Sequence, residues 1–336
     1  MPSSLEVLFR TPLGTACVGD SLDLLARTPS ESVDLVVTSP PFALLRPKSY
    51  GNVDQQDYVE WLCSFAPHVY RVLKPTGSYV LDLGGSYQRG LPIRSLHQFR
   101  VLLRHVDDFG FHLAEEFYWH NPSKLPSPIE WVNKRKIRAK DTVNTLWWLS
   151  KTPWPKANVS EVLAPYSERM KTLLRDPAKF YTPKGRPSGH QIGAGFAKDN
   201  GGAIPSNLIQ LANSESNGRY SQLCKAMGIE AHPARFPAGL PEFFVKFLTE
   251  PGDSVIDIFG GSGTTGEVAQ RHGRNWRTCD LDRDYVRGSL FRFVADLDDA
   301  AVRDLLREVD AGTSPLLLPR QQGLFDSPVD VSAIVA

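Results

Sequence analysis

The sequence predicts an α/β protein built on a mostly parallel, twisted sheet, with a long irregular region between its two halves. Three observations carry that expectation. Short, mostly apolar runs at 33–38, 78–83 and 254–258 have strand length and little polar character, as strands buried on both faces do. Between such runs, apolar residues recur at helical spacing, as at Tyr58, Val59, Leu62, Phe65, Val69 and Val72. Gly261, Gly263 and Gly266 form a GxGxxG turn directly behind one run and ahead of a helical stretch. Strands alternating with helices at this rhythm imply a doubly wound sheet.

Residues 14–20 read as a short strand ending in a turn, and Leu22, Leu24 and Leu25 open a helix. The 33–38 strand runs into Ser39-Pro40-Pro41-Phe42. Two adjacent prolines remove two backbone donors and fix two φ angles, so neither a ladder nor a helix continues through them. The helix expected over 58–72 is closed by Lys74-Pro75-Thr76-Gly77, and the strand 78–83 ends at Gly84-Gly85. Two further strands, 112–120 and 143–150, flank a loop carrying Lys134, Arg135, Lys136, Arg138 and Lys140. Residues 151–232 then lose the α/β rhythm and become rich in Pro, Gly, Ser and Asn, which marks a functional or disordered segment. The pattern returns with a helix near 241–248, the strand 254–258, a helix after Gly266, a strand at 276–279 and a helical stretch from Arg283. Beyond about Gly312 the chain reads as a tail.

At 336 residues the chain fits one large unit with an inserted module. Cys17, Cys63, Cys224 and Cys279 form no CxxC, which points to a reduced, cytoplasmic protein without structural zinc. His190 and His232 have no third partner at metal-ligand spacing, so no metal is expected and both read as structural. The N-terminus lacks a cationic and apolar leader, and no apolar stretch is long enough to span a bilayer, so a soluble, unexported protein is expected. The formal net charge of +1 is uneven: residues 121–190 carry +9, against −3 before them and −5 after. Such a block suits a polyanion-binding face or a solvated basic surface.

Together, SPPF at 39–42 and FGGSGTTG at 259–266 resemble the catalytic and cofactor motifs of amino-methylating DNA methyltransferases that use S-adenosylmethionine. The similarity extends to GDSLDLL at 19–25, FYWHNPSKLPSPIEWVNKRKIR at 117–138, RPSGHQIG at 186–193 and HPARFP at 232–237. The catalytic motif precedes the cofactor motif, the order of the permuted β group of that family. The resemblance implies a Rossmann-like class I methyltransferase fold, circularly permuted. It would comprise a catalytic half (1–150), a target-recognition region (151–232, with the 121–142 loop contributing), a cofactor-binding half (233–312) and a C-terminal tail (313–336).

It also implies roles for particular residues. Ser39 and the Pro40 carbonyl would accept the hydrogens of an exocyclic amine, letting its nitrogen pyramidalise, with Pro41 stiffening the turn. Phe42 would stack on a base taken out of the duplex. Asp82 would accept a hydrogen bond from Ser39 or the substrate, or else simply end its strand. The cofactor, leaving as S-adenosylhomocysteine, would be held by Asp257, Phe259, Gly260, Gly261, Ser262, Gly263, Thr264 and Thr265, with Asp280 on the ribose hydroxyls. Asp20 would contact the adenosine or cap the helix that follows it. Lys134, Arg135, Lys136, Arg138, Lys184, Arg186 and His190 are the candidate DNA contacts.

In this family SPPF generally accompanies N4-cytosine methylation, with N6-adenine as the alternative. C5-cytosine chemistry needs a Pro-Cys nucleophile, and none of the four cysteines follows a proline. Two rivals stand outside the family: a nicotinamide-dependent oxidoreductase, which has no use for SPPF, and a DNA-binding protein that keeps a cofactor without turnover, which has no reason to retain both motifs. Double-stranded DNA is the expected partner, a cognate restriction endonuclease a functional but not a physical one. A monomer is expected, with a dimer as the alternative.

Overall fold

The computed structural model describes residues 5–41, 57–177, 198–213 and 218–318. Its strands are β1 (Glu6–Thr11), β2 (Gly14–Val18), β3 (Val33–Thr38), β4 (Leu73–Gly84), β5 (His112–His120), β6 (Val143–Ser150), β7 (Leu208–Gln210), β8 (Ser254–Asp257) and β9 (Asn275–Asp280). They form one sheet in the order β1-β2-β9-β8-β3-β4-β6-β5-β7. The central run from β2 to β4 is parallel throughout, β6 is antiparallel to both its neighbours, and β1 is an antiparallel edge.

Helices cover both faces, as the two-sided burial of β3 requires. Leu35 and Val37 pack into one layer with Val80 and Val255, while Val36 packs into the other with Tyr79 and Ile256. The second layer is closed by α1 (Ser21–Arg27), α2 (Tyr58–Cys63), α3 (Ala66–Val72) and α4 (His97–Asp107). The first is closed by α6 (Arg219–Met227), α7 (Gly239–Leu248), α8 (Thr264–Arg271), α9 (Arg283–Ser289) and α10 (Asp299–Asp310), and α5 (Glu168–Arg175) lies in the segment before β7.

Several expectations need correction. The single helix over 58–72 is two, with the break at Ser64 and Phe65 ahead of Pro67. Lys74–Gly77 does not close a helix but is taken into β4: Val33 pairs with Leu73 and Leu35 with Ser78, so the extra residues are absorbed as a bulge. The segment 151–232 is less irregular than its composition suggests, since it supplies α5, β7 and α6, and Tyr220, Leu223 and Cys224 of α6 are buried in the main core. The helix behind the glycine turn starts at Thr264, not after Gly266. Residues 313–318 are docked rather than a free tail. The Arg10 N–H donates to the Pro315 carbonyl at 2.9 Å, the Leu317 N–H to the Arg10 carbonyl at 2.8 Å, and Leu317 is buried.

Among the described residues no helix is long and apolar enough to cross a membrane, and no group of His, Cys, Asp and Glu could hold a metal ion. The four cysteines are buried and unbonded to one another.

Candidate functional site

The carboxyl ends of β2, β3, β4, β8 and β9 converge on one cavity of about 1720 Å³, where a doubly wound sheet places its ligands. Its walls include Ser39, Pro40 and Pro41 from the end of β3, Phe259–Ser262 and Thr264 behind β8, Asp20 behind β2, and Asp280 at the end of β9. Two motifs more than 200 residues apart in sequence thus open onto the same space, because β3 and β8 are parallel neighbours.

The Ser39 hydroxyl donates to Asp82 Oδ2 at 3.0 Å, the bond expected from adjacent strands. Asp82 lies behind Ser39, outside the cavity wall and 4% exposed. Burial pushes its carboxyl up to about 6, against the opposing pull of Ser39, Asn144 and the charge of Lys124.

Asp257 ties the two motifs together. Its Oδ1 accepts from the Thr38 hydroxyl at 2.5 Å and from the Phe259 N–H at 3.0 Å, and its Oδ2 accepts from the Thr265 hydroxyl at 2.6 Å. Both oxygens are thereby used within the protein. Asp257, Gly263 and Thr265, expected to touch a cofactor, do not line the cavity; they shape the loop from behind. Gly263 has φ +74°, and a Cβ there would meet the Ser289 Cβ at 2.7 Å, so glycine is required twice over. Gly261, with φ +45°, leaves room for the His232 ring, whose Nε2 would lie 3.1 Å from an added Cβ.

Asp280 is also partly engaged. Its Oδ2 accepts from the Gly261 N–H at 2.9 Å and its Oδ1 from the Asp282 N–H at 3.0 Å, and burial raises its carboxyl to about 6. Asp20 caps α1 through the Leu22 N–H at 2.8 Å and also lines the cavity. Ser262 is held by Arg292, which donates to its carbonyl at 2.9 Å and its hydroxyl at 3.2 Å. These residues fit a nucleoside-bearing group: two carboxylates reach the wall, a glycine-rich turn opens onto the same space, and Phe259 offers an apolar surface.

Of the candidate DNA contacts, Lys134 and Arg135 reach the cavity and pair with Glu130 at 3.2 and 3.0 Å. Lys136 and Arg138 are both exposed, and the Arg138 guanidinium donates to the Pro92 carbonyl at 2.6 and 3.0 Å. Phe42, Lys184, Arg186 and His190 lie outside the described residues.

Other wall residues are not foreseen from sequence. Trp61 and Phe65 pack their rings on Phe259 at 5.5 and 5.2 Å. Lys124, Asn144, His232, Arg235 and Tyr285 also line the cavity, and the His232 ring sits edge-on to Tyr285 at 4.4 Å. His232 and Arg235 belong to HPARFP, so a signal for them exists in the chain. Metal-ligand spacing, the criterion that makes His232 look structural, is blind to a histidine that lines a cavity without a metal.

Comparison with known proteins agrees with this geometry. A family model described as DNA methylase, for N6 and N4 methyltransferases, matches residues 33–291. The type II methyltransferase M.PvuII of Proteus hauseri is 59% identical over 307 residues, covering 91% of each chain. A solved structure of the PvuII DNA methyltransferase, titled cytosine-N4-specific, superposes with a TM-score of 0.76 at 49% identity, over 94% of this chain and 98% of that one. A complex of M1.HpyAVI with SAM shares the fold at 16% identity and a TM-score of 0.50, over 84% of this chain and 99% of that one.

Proposed function

Since the chain belongs to the DNA methylase family of N6 and N4 methyltransferases, we propose that it transfers a methyl group from S-adenosylmethionine to the N4 amine of a cytosine taken out of duplex DNA. The observation that carries this reading is the 3.0 Å hydrogen bond from Ser39, which lines the cavity shared with the glycine turn, to the buried Asp82 behind it. When bound, the cofactor supplies an electrophilic methyl group. Everything else falls to the chain.

The Ser39 hydroxyl proton is engaged by Asp82, so the oxygen's lone pairs face the cavity and accept one amine hydrogen, while the Pro40 carbonyl accepts the other. Held by two acceptors, the nitrogen loses conjugation with the ring and its lone pair becomes available. Asp82, raised to about 6, is mostly ionised at neutral pH and can take up the Ser39 proton as Ser39 receives the one leaving the amine. Asp20, Phe259–Ser262, Thr264 and Asp280 are the residues that would hold the cofactor, with Asp257, Gly263 and Thr265 fixing the loop's shape. Lys134, Arg135, Lys136 and Arg138 would neutralise phosphates, with Lys184, Arg186 and His190 assigned to the same duty from sequence alone.

We read residues 1–150 and 233–312 as the catalytic and cofactor halves of one permuted domain, and 151–232 with the 121–142 loop as the target reader. A cytoplasmic monomer that protects DNA from a separately acting restriction endonuclease completes the proposal, in keeping with the type II relatives.

The test is to incubate the protein with unmethylated DNA and labelled S-adenosylmethionine, digest to nucleosides and identify the product by mass spectrometry. N4-methylcytosine is expected. N6-methyladenine would overturn the choice of base, and absence of transfer on diverse DNA would overturn the reaction.

A further inference from the structure

The basic loop carries a strongly exposed apolar side chain to which methyl transfer assigns no task. Leu125 is 81% exposed, within the segment Asn121-Pro122-Ser123-Lys124-Leu125-Pro126-Ser127-Pro128. Lone exposed leucines are common, so exposure alone means little. What distinguishes this one is its mounting. Three prolines stiffen the segment. Asn121 Oδ1 accepts from the Ser123 N–H at 3.1 Å, the Lys124 N–H donates to the Asn121 carbonyl at 3.2 Å, and the Asp141 N–H donates to the Ser127 carbonyl at 3.1 Å. Lys140 Nζ reaches the carbonyls of Pro122 and Lys124 at 3.5 and 3.4 Å. The loop is therefore tied down on both sides of a side chain that it holds out into water.

Its position is equally specific. Lys124 and Ser127, on either side of Leu125, line the cavity, and the charge of Lys124 is felt at Asp82. Lys134, Arg135 and Lys136 stand on the same loop. A duplex drawn to these cations meets a rigid apolar projection at the rim of the space that must receive a base.

Building on the proposed methylation of an extruded cytosine, we propose that Leu125 is the wedge that enters the base stack and fills the gap the cytosine leaves. An aliphatic side chain suits that place because it loses no hydrogen bond on leaving water and gains apolar contact with the flanking base faces. The cost of unpairing and unstacking the target is then offset on the protein's side of the equilibrium.

The test maps the methylated site from the wild-type product and builds two duplexes around it, one fully paired and one with the target cytosine opposite an abasic position. Leu125→Ala should lower kcat/KM on the paired duplex by about ten- to a hundredfold and leave S-adenosylmethionine affinity unchanged. It should regain most of the loss on the abasic duplex, where little remains to be unpaired. Leu125→Phe should stay close to wild type on both. Wild-type kcat/KM for Leu125→Ala on the paired duplex, or an equal loss on both duplexes, would overturn the wedge. A wild-type protein that transfers no methyl group to cytosine N4 in either duplex would instead overturn the methylation reading, and the wedge with it. With its side chain in solvent, Leu125 can be truncated without disturbing the core.

Discussion

The glycine wall of the cavity, built on residues 257–265, and the basic loop, residues 121–142, contribute to the same space but are held by different forces. Asp257 is buried with both carboxylate oxygens engaged, Arg292 grips Ser262, and Asp280 grips Gly261. The basic loop is stiffened by prolines and backbone bonds, while Lys134 and Arg135 pair with Glu130 in the open. Buried polar groups that lose a partner cost far more than exposed ion pairs do. A wall that positions reacting atoms must hold its shape, whereas one that meets DNA phosphates needs charges free to exchange protein partners for nucleic-acid ones. The contrast predicts that damage to the first wall abolishes chemistry or folding, and that damage to the second is felt only when DNA binds.

The largest effect should follow Ser39→Ala. It removes an acceptor used as the amine becomes nucleophilic, so turnover should fall by about 10²- to 10³-fold with cofactor affinity, measured by calorimetry, unchanged. Normal turnover would dismiss Ser39 from the site.

Next comes Asp82, whose ionisation should appear as an acid limb near pH 6 in the pH profile of kcat. Asp82→Asn should erase that limb and slow turnover. Because the folded carboxyl lies above its ordinary 3.8, stability from this group is greatest at low pH and declines as pH rises from about 4 to about 6. Denaturation of Asp82→Asn across that range should show a shallower decline than wild type, and identical slopes would refute the assignment.

Gly263→Ala tests the wall itself. A positive φ and a Cβ only 2.7 Å from that of Ser289 should together cost about 2–4 kcal/mol, read from urea unfolding. The smallest effect on folding should come from Arg135→Ala. Its stability should lie within about 0.5 kcal/mol of wild type, while DNA binding weakens and the salt slope of binding shrinks by about one. Should Gly263→Ala be silent or Arg135→Ala unfold the protein, the contrast between the walls would not stand.

Much of the sheet and part of the site are legible in the residues themselves. The runs ending at Thr38 and Asp257 read as central strands because a strand buried on both faces cannot hide its composition. The Ser39–Asp82 bond is foreseeable because Ser39 follows one strand and Asp82 lies near the carboxyl end of its parallel neighbour. Other features carry no such signal. The docking of residues 313–318 upon β1 depends on a pairing across the length of the chain. β7 is three residues long, too short for periodicity to register. Asp257 and Thr265 read as ligand contacts because they sit in the motif, and only their partners show that they face inward.

By itself, then, the sequence determined the chemistry available: a serine before two prolines, a glycine-rich turn behind a strand, and a basic stretch between the halves. Those are local properties, written in consecutive residues. The tertiary structure alone decided which side chains share the cavity and which stand behind it, that Asp82 is buried deeply enough to titrate near 6, and that Leu125 is exposed between the cavity-lining Lys124 and Ser127. Burial and juxtaposition arise from strands brought together across 200 residues, and no local pattern encodes the distance between them.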